Sequence, residues 1–146
     1  MKELPTHSNF DEILPLIELY QEFYEVAEIS TEKNRRFFSQ FIGGTSEGAQ
    51  FIFREDGKAI GFATIYFSFS SSIVAKVAVL NDLFVLPELR KKGIAKALIA
   101  HCYQYGLSKG AVRLQWLTAK SNTNAQAAYN KLGAKKSEWV FYSYAP

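Results

Sequence analysis

Apolar side chains at Ile13, Leu16, Ile17, Tyr20 and Tyr24 recur at the three-and-four spacing of one helix face. Asn9-x-x-Glu12 has the form of a capping box ahead of them, and Pro15 suits a first turn, which sets the helix start near Leu14. A second, short helix is predicted over 31–41, with Thr31 as its cap and Gly43-Gly44 ending it. The period then changes. Segments 50–54 and 59–69 read as strands, joined by Glu55-Asp56-Gly57-Lys58, whose Asp-Gly pair is a strong hairpin signal. A polar connector at 68–72 leads to a long strand over 74–85 that is apolar on both alternating faces. Val77, Val79, Leu83 and Val85 form one face and Ala78, Leu80, Phe84 and Leu86 the other.

Beyond the long strand, Ile94, Leu98, Cys102 and Tyr105 mark a helix over about 93–107, with Gly106 and Gly110 at its exit. Segment 112–118 reads as a buried strand and 122–132 as a helix closed by Gly133. An aromatic-rich strand is expected over 137–144. A strand–helix–strand unit in the middle calls for parallel pairing, and the hairpin before it for antiparallel pairing. The prediction is an α/β fold with helices against a mixed sheet.

Composition narrows the class. At 146 residues and 48 % hydrophobic, the chain suits a single domain, 1–146, with one core. No apolar run approaches the roughly 18 residues of a membrane span, and the first residues have no signal-peptide pattern, so neither membrane nor export is expected. Cys102 stands alone, and two histidines with one cysteine form no zinc pattern, so a reduced cytoplasmic protein without metal is expected. The net charge of +3 is modest and its basic clusters are short, which argues against nucleic acid as a partner.

The candidate chemistry begins where the long strand ends. Leu83-Phe84-Val85 runs through Leu86-Pro87-Glu88-Leu89 into Arg90-Lys91-Lys92-Gly93-Ile94-Ala95-Lys96, a basic, glycine-containing turn that opens a helix. A helix N-terminus carries unpaired N–H groups and about half a positive charge, so it makes a seat for a phosphate-bearing ligand. A solvated strand–helix junction is the competing reading. Asp82 is the second signal, because a carboxylate inside a strand apolar on both faces needs a partner or a task.

Arg90-Lys91-Lys92-Gly93-Ile94-Ala95 resembles the Q/R-x-x-G-x-G/A signature of the GCN5-related N-acetyltransferases. Asn122-x-x-Ala125-x-x-x-Tyr129, one helix and one strand further on, resembles the same family's second helix. Leu80-Asn81-Asp82-Leu83-Phe84-Val85, Trp116-Leu117-Thr118 and Leu19-Tyr20-x-x-Phe23-Tyr24 are similar to a subgroup that includes fungal acetyltransferases assigned to histones, polyamines and D-amino acids. The likeness runs from about Leu16 onward. The family usually opens with a strand; here only 1–8 are available and Pro5 interrupts them, so that strand is expected to be short or missing.

The resemblance implies the acyl-CoA N-acyltransferase fold: a mixed, mostly antiparallel central sheet, helices on both faces, and a splayed parallel strand pair. It implies acetyl-CoA as cosubstrate and a primary amine as acceptor. Backbone around Leu83, Phe84 and Val85 would meet the pantetheine and the acetyl carbonyl. The turn from Arg90 through Lys91, Lys92, Gly93, Ile94 and Ala95 to Lys96 would hold the pyrophosphate, with Asn122 and Ala125 also on the cofactor side. Tyr129 would be the general acid toward the departing sulfur, against a packing role as one of eight tyrosines. Asp82 would anchor the ammonium or take its proton, with Asn81, Glu22 and Glu25 on the acceptor side. Trp116 and Thr118 would flank the cleft, and His7 and His101 would have no role. The readings left open are an acyl-CoA-binding module without turnover and an acetyltransferase acting on protein lysines or N-termini. No G-x-G-x-x-G or G-x-x-x-x-G-K-[ST] occurs, so a nucleotide-binding domain lacks its motif. A homodimer is expected if the 139–144 strand forms a sheet edge.

Overall fold

Asp56 and Gly57 both take positive φ, 51° and 76°, the turn geometry that matches the twist of two antiparallel strands. They join β2 (Gly48–Glu55) to β3 (Lys58–Ser70), and β3 returns antiparallel against β4 (Ala75–Val85). A computed structural model describes residues 2–146 in two units, one reaching to Trp116 and one from Leu117 to Pro146. Met1 lies outside the described residues.

The first unit holds a sheet of order β1-β2-β3-β4-β5, antiparallel throughout except for β5 (Leu114–Gln115), which runs parallel to β4. The doubtful first strand is present as β1 (Lys2–Glu3), paired with Phe53 and Ile52. Arg54 fixes it: the guanidinium donates to Glu3 Oε1 at 2.6 and 3.0 Å, to the Glu12 carboxylate at 2.8 and 3.1 Å, and to the Gly57 carbonyl at 2.9 Å. Glu12 is thereby drawn away from the expected capping box. Residues Phe10–Glu12 form a 3₁₀ turn instead, and Asn9 Oδ1 accepts from the Thr6 N–H at 2.6 Å.

Helices cover both faces. On one, α1 (Leu14–Phe23) buries Leu14, Leu16 and Ile17, and the Tyr20 ring meets Phe62 and Phe84 edge-on. α2 (Thr31–Phe38) packs beside it, with the Gln21 and Asn34 amides bonded reciprocally at 2.8 Å. The cap of α2 is Ser30 rather than Thr31: Ser30 Oγ accepts from the Lys33 N–H, while the Thr31 hydroxyl donates to Glu18. On the other face, α3 (Ile94–Ser108) buries Ile94, Leu98, Cys102 and Gly106, and lays His101 and Tyr105 against Phe51. His101 is thus half-buried sheet packing and not merely helix surface.

The two-faced reading of β4 fails at one residue. Thr64 opposes Asp82 while Ile65 opposes Leu80, so Asn81 is an extra residue bulged out of β4. The bulge exchanges the faces. Ala78, Leu80, Leu83 and Val85 line up with Phe67, Ile65, Ala63 and Gly61 toward α3, and Val77, Val79, Asp82 and Phe84 with Ser68, Tyr66, Thr64 and Phe62 toward α1. Gly61 is required here by close approach, because a Cβ there would stand 2.8 Å from the Phe84 carbonyl oxygen.

The strand expected over 112–118 shrinks to Leu114–Gln115, with Val112 and Leu117 exposed. In the second unit, α4 (Thr123–Lys131) is capped by Asn122 and followed by Gly133 at φ 90°. The strand expected over 137–144 does not form. Its aromatic residues have the propensity but no ladder partner among the described residues, and the Trp139 N–H turns locally to Ser137 Oγ at 3.0 Å. Trp139, Phe141, Tyr142 and Tyr144 are exposed.

Candidate active site

Asp82 sits in β4 directly after the bulge, 4 % exposed. It belongs to a cross-strand row of polar side chains under α1: Gln50 opposes Thr64 on β3, and Thr64 opposes Asp82. Asn81 Nδ2 donates to Asp82 Oδ1 at 3.0 Å and lies 3.4 Å from the Tyr66 hydroxyl. The Tyr20 hydroxyl stands 3.5 Å from the Asn81 carbonyl oxygen. Asp82 Oδ2 is buried and has no hydrogen-bond partner.

Burial is the dominant influence on this carboxyl and raises its pKa, while the Thr64 and Tyr20 hydroxyls and the Asn81 amide pull the other way. The phenols respond in kind. Desolvation first, and the Asp82 charge second, push Tyr66 up to about 12 and raise Tyr20 still further. The result is a carboxyl that burial inclines toward its protonated form, with neutral phenols beside it. Asn81 is exposed and Tyr20 and Tyr66 are half-buried, so this polar rim connects Asp82 to solvent.

The bulge also sets which backbone groups face outward. Before it, the Lys76 carbonyl and the Ala78 N–H bond to Val112 and Arg113 on the β5 side. After it, the Leu86 N–H bonds to Ile60 on the β3 side, so even-numbered residues now turn inward and Leu83 and Val85 turn out. Pairing with β5 ends at Val79 and Gln115, leaving the outer edge at Leu83 and Val85 without a strand partner. Of the three residues expected to offer backbone there, Phe84 turns its own to β3 and contributes its buried ring instead.

At the end of this edge, Arg90 Nε donates to the Val85 carbonyl at 2.9 Å and the guanidinium lies 5.5 Å from the Phe23 and Phe84 rings. Arg90 therefore braces the turn. Lys91, Lys92 and Lys96 remain exposed around it. The first helical bond of α3 runs from the Ala97 N–H to the Gly93 carbonyl, no side chain caps the helix, and no acidic residue occupies its first turn. The amides of Ile94, Ala95 and Lys96 consequently lack intrahelical partners. Gly93 takes φ 82°, and a Cβ built on it meets nothing within 4 Å, so space lies open above the helix start. Uncapped amides, three lysines and open space fit a diphosphate.

The second unit carries Asn122, Ala125 and Tyr129. Asn122 Oδ1 accepts from the Ala125 N–H at 3.2 Å, so both serve the cap of α4. Ala125 and Tyr129 are four apart, share one helix face and are half-buried. Glu22 is exposed on α1, and Glu25 lies beyond that helix at φ 56° rather than on it. The Trp116 ring packs against the core of the first unit. Gln50, Thr64, Tyr20 and Tyr66 were not singled out as site residues from sequence. Gln50 and Thr64 carried the same signal as Asp82, a polar side chain inside an apolar strand. Among the described residues no group of three His, Cys, Asp or Glu could hold a metal, and no helix is long and apolar enough to cross a membrane.

The fold defines an acyl-CoA N-acyltransferase framework, with a bulged strand that opens along one edge and feeds an uncapped basic helix. The chain belongs to the acetyltransferase (GNAT) family, whose profile matches residues 13–134. It is 34% identical over 121 residues to a Bacillus subtilis protein, the uncharacterized N-acetyltransferase YhfO, covering 83% of this chain and 80% of that one. It is 36% identical over 107 residues to the D-amino-acid N-acetyltransferase HPA3 of Saccharomyces cerevisiae, covering 72% of this chain and 66% of that one. Among solved structures, a probable acetyltransferase superposes with TM-score 0.86 at 28% identity, covering 100% of this chain and 97% of the other. An aminoglycoside N-acetyltransferase, AAC(6')-Iy, in complex with CoA shares the fold at TM-score 0.83 and 23% identity, covering 99% and 95% of the two chains. This protein is an acetyltransferase of the GNAT kind.

Proposed function

We propose that this protein moves the acetyl group of acetyl-CoA to a primary amine by direct attack in a ternary complex, and that the acceptor is a small polyamine-like or amino-acid-like molecule. When bound, acetyl-CoA supplies an activated acetyl thioester. Its pyrophosphate would be held by the amides of Gly93 to Lys96 with Lys91 and Lys92, and the outward N–H groups of Leu83 and Val85 would orient the pantetheine and the acetyl carbonyl. One such donor contributes about 10²–10³-fold in rate when it meets developing oxyanion charge.

The observation that carries the reading is the buried, proton-seeking Asp82 beside the bulge that opens the edge of β4. An alkylamine titrates near 10 and arrives as an ammonium, which cannot attack until it loses a proton. A carboxyl whose pKa is raised by burial takes that proton more readily than an exposed one. The phenols of Tyr20 and Tyr66 and the Asn81 amide form the polar rim across which the proton would pass. Tyr129 would return a proton to the departing sulfur, as the family resemblance implies. Relatives named for D-amino acids and for aminoglycosides both take amine acceptors, which supports a small amine here. Exposed aromatic residues over 139–144 support self-association, and sedimentation as a monomer would overturn that part.

Thiol release from acetyl-CoA across a panel of polyamines, amino acids of both hands and aminoglycosides tests the proposal. Turnover on at least one class, abolished to within about tenfold of background by Asp82→Asn, is expected. No turnover on the panel, with CoA binding intact, would leave a binding module in its place.

A further inference from the structure

Gln50 is fully buried in β2 among Ala49, Phe51 and Ile52, where an apolar residue would pack at lower cost. Its Nε2 donates to Thr64 Oγ1 at 3.0 Å, and its Oε1 has no partner. Thr64 is fully buried as well and opposes Asp82, whose Oδ2 is likewise buried without a hydrogen-bond partner. The cross-strand row thus has an unsatisfied acceptor at each end and, in the middle, a hydroxyl that both donates and accepts.

We infer that Gln50 is a positioning residue for Asp82, acting through Thr64 as a hydrogen-bond relay whose polarity reverses when Asp82 gains or loses a proton. With Asp82 ionised, the Gln50 amide donates to Thr64 Oγ1 and leaves the hydroxyl hydrogen to face the carboxylate. When Asp82 takes the proton of the acceptor ammonium, its new O–H donates to Thr64 Oγ1. The threonine hydrogen then swings toward Gln50, whose amide turns over to present Oε1. The proton stays on Asp82 and no backbone moves. A methionine at position 50 would satisfy neither state, and a fixed donor would satisfy only one. The methionine weighs more on the ionised state, because a hydroxyl polarised by the Gln50 amide bonds a carboxylate more strongly than one that accepts nothing. Asparagine and glutamine amides are suited to this because oxygen and nitrogen occupy nearly equivalent positions.

The relay rests on the proposed role of Asp82, and the titratable groups that face it are Tyr20 from α1 and Tyr66 from β3, with Tyr24 behind Tyr20. Both facing phenols stay neutral below pH 9, so the acid limb of the pH profile belongs to Asp82 in this assignment.

Wild type, Gln50→Met, Thr64→Val, Thr64→Ser and Asp82→Asn are compared by kcat/KM against pH on the best amine, and all but Asp82→Asn by ¹³C NMR titration of the Asp82 carboxyl in protein free of acetyl-CoA. Gln50→Met and Thr64→Val should move the acid limb and the carboxyl titration upward together, with kcat/KM at pH 7 falling about tenfold. Thr64→Ser keeps the hydroxyl and should restore both, and CoA affinity should be unchanged in all four. Limb and titration unmoved in Gln50→Met and Thr64→Val would overturn the relay. An acid limb that survives Asp82→Asn would instead overturn the role of Asp82 in turnover, and the carboxyl titration would still decide the relay. Should Gln50→Met not fold, Gln50→Leu takes its place, and a limb and titration that move in Thr64→Val but not in Gln50→Leu would overturn the part given to Gln50.

Discussion

Gly93 separates backbone strain from electrostatics at the helix start. Its φ of 82° is a left-handed conformation, and a Cβ there would meet nothing within 4 Å. Gly93→Ala and Gly93→Glu therefore carry the same conformational cost, about 1–2 kcal/mol, without a steric term. For a chain of 146 residues, an unfolding entropy of about 0.3 kcal/mol/K converts this to a loss of roughly 3–6 °C in Tm. The glutamate regains part of it, about 0.3–1 kcal/mol, from the helix dipole. The two variants part on CoA. A carboxylate about 5 Å from a phosphate at an effective dielectric near 20 costs about 3 kcal/mol, or roughly 100-fold in affinity. Calorimetric titration of CoA at low salt should give Gly93→Ala a loss below about tenfold and Gly93→Glu a loss about 100-fold greater, the gap narrowing as salt rises. A Gly93→Glu protein that binds CoA within about threefold of Gly93→Ala, both melting as expected, would refute the assignment of this turn to the diphosphate.

Arg54→Met should loosen β1 and the Phe10–Glu12 turn, because one guanidinium serves Glu3, Glu12 and the Gly57 carbonyl. Arg54 depresses the Glu12 pKa below its ordinary 4.5, so the stabilisation is present above pH 4.5 and lost as pH falls through the lower folded value. Denaturant midpoints of wild type and variant should therefore differ at pH 6 and draw closer as pH falls through the lowered folded value, and equal midpoints at pH 6 would contradict the linkage. Cys102 is buried and its thiol is pushed up to about 12. Native protein at pH 8 should resist a thiol-specific disulfide reagent that titrates one thiol after denaturation, and rapid native labelling would show that α3 opens readily. Gly61→Ala would set a Cβ 2.8 Å from the Phe84 carbonyl, and the forced separation of β3 and β4 should cost about 1–3 kcal/mol in denaturant unfolding. An unchanged midpoint would show the pair to be more compliant than its contact distance implies.

The segments proposed to bear the chemistry stood out because they break local rules. A glycine after three basic residues at a strand–helix junction, and a carboxylate in an apolar strand, are anomalies that periodicity exposes. Helix starts were legible where Pro15 and Asn122 fixed them. The start of α2 was read one residue late: Ser30 takes the cap because its backbone is extended, leaving Thr31 inside the helix to reach Glu18. The capping box at Asn9 and Glu12 matched in pattern but lost Glu12 to an arginine distant in sequence. Segments 112–118 and 137–144 were read as strands on propensity. A strand is a paired object, and pairing reaches only Leu114–Gln115 in the first and no residue of the second. Tertiary partners decided each of these cases.

The bulge at Asn81 has the largest consequence, and an apolar pattern could not reveal it, since β4 is apolar on both faces and one inserted residue leaves both still apolar. Its effect is nevertheless twofold. By exchanging the side-chain faces it turns Asp82 toward α1, into line with Gln50, Thr64 and Tyr20, while Leu80 and Leu83 both stay on the α3 side. By exchanging the backbone direction it turns Leu83 and Val85 outward where β5 has stopped pairing. In a regular strand, Asp82 would face α3 and the aliphatic side chains of Ile94 and Leu98. The edge would then present Asp82 and Phe84 amides instead. One residue therefore couples the proton acceptor to the amides that would hold the acyl donor. Deleting Asn81 would set Asp82 next to Leu80 in unbroken register with Thr64 and Ile65, so Asp82 should still face α1 and the Leu83 and Val85 amides should still face outward. CoA affinity should then hold within about threefold, and turnover should fall only by what the Asn81 amide contributes at Asp82. A deletion variant that loses CoA affinity and turnover together, with amide exchange protection in the β2–β3 hairpin intact, would mean that the bulge does more than set the phase of the strand.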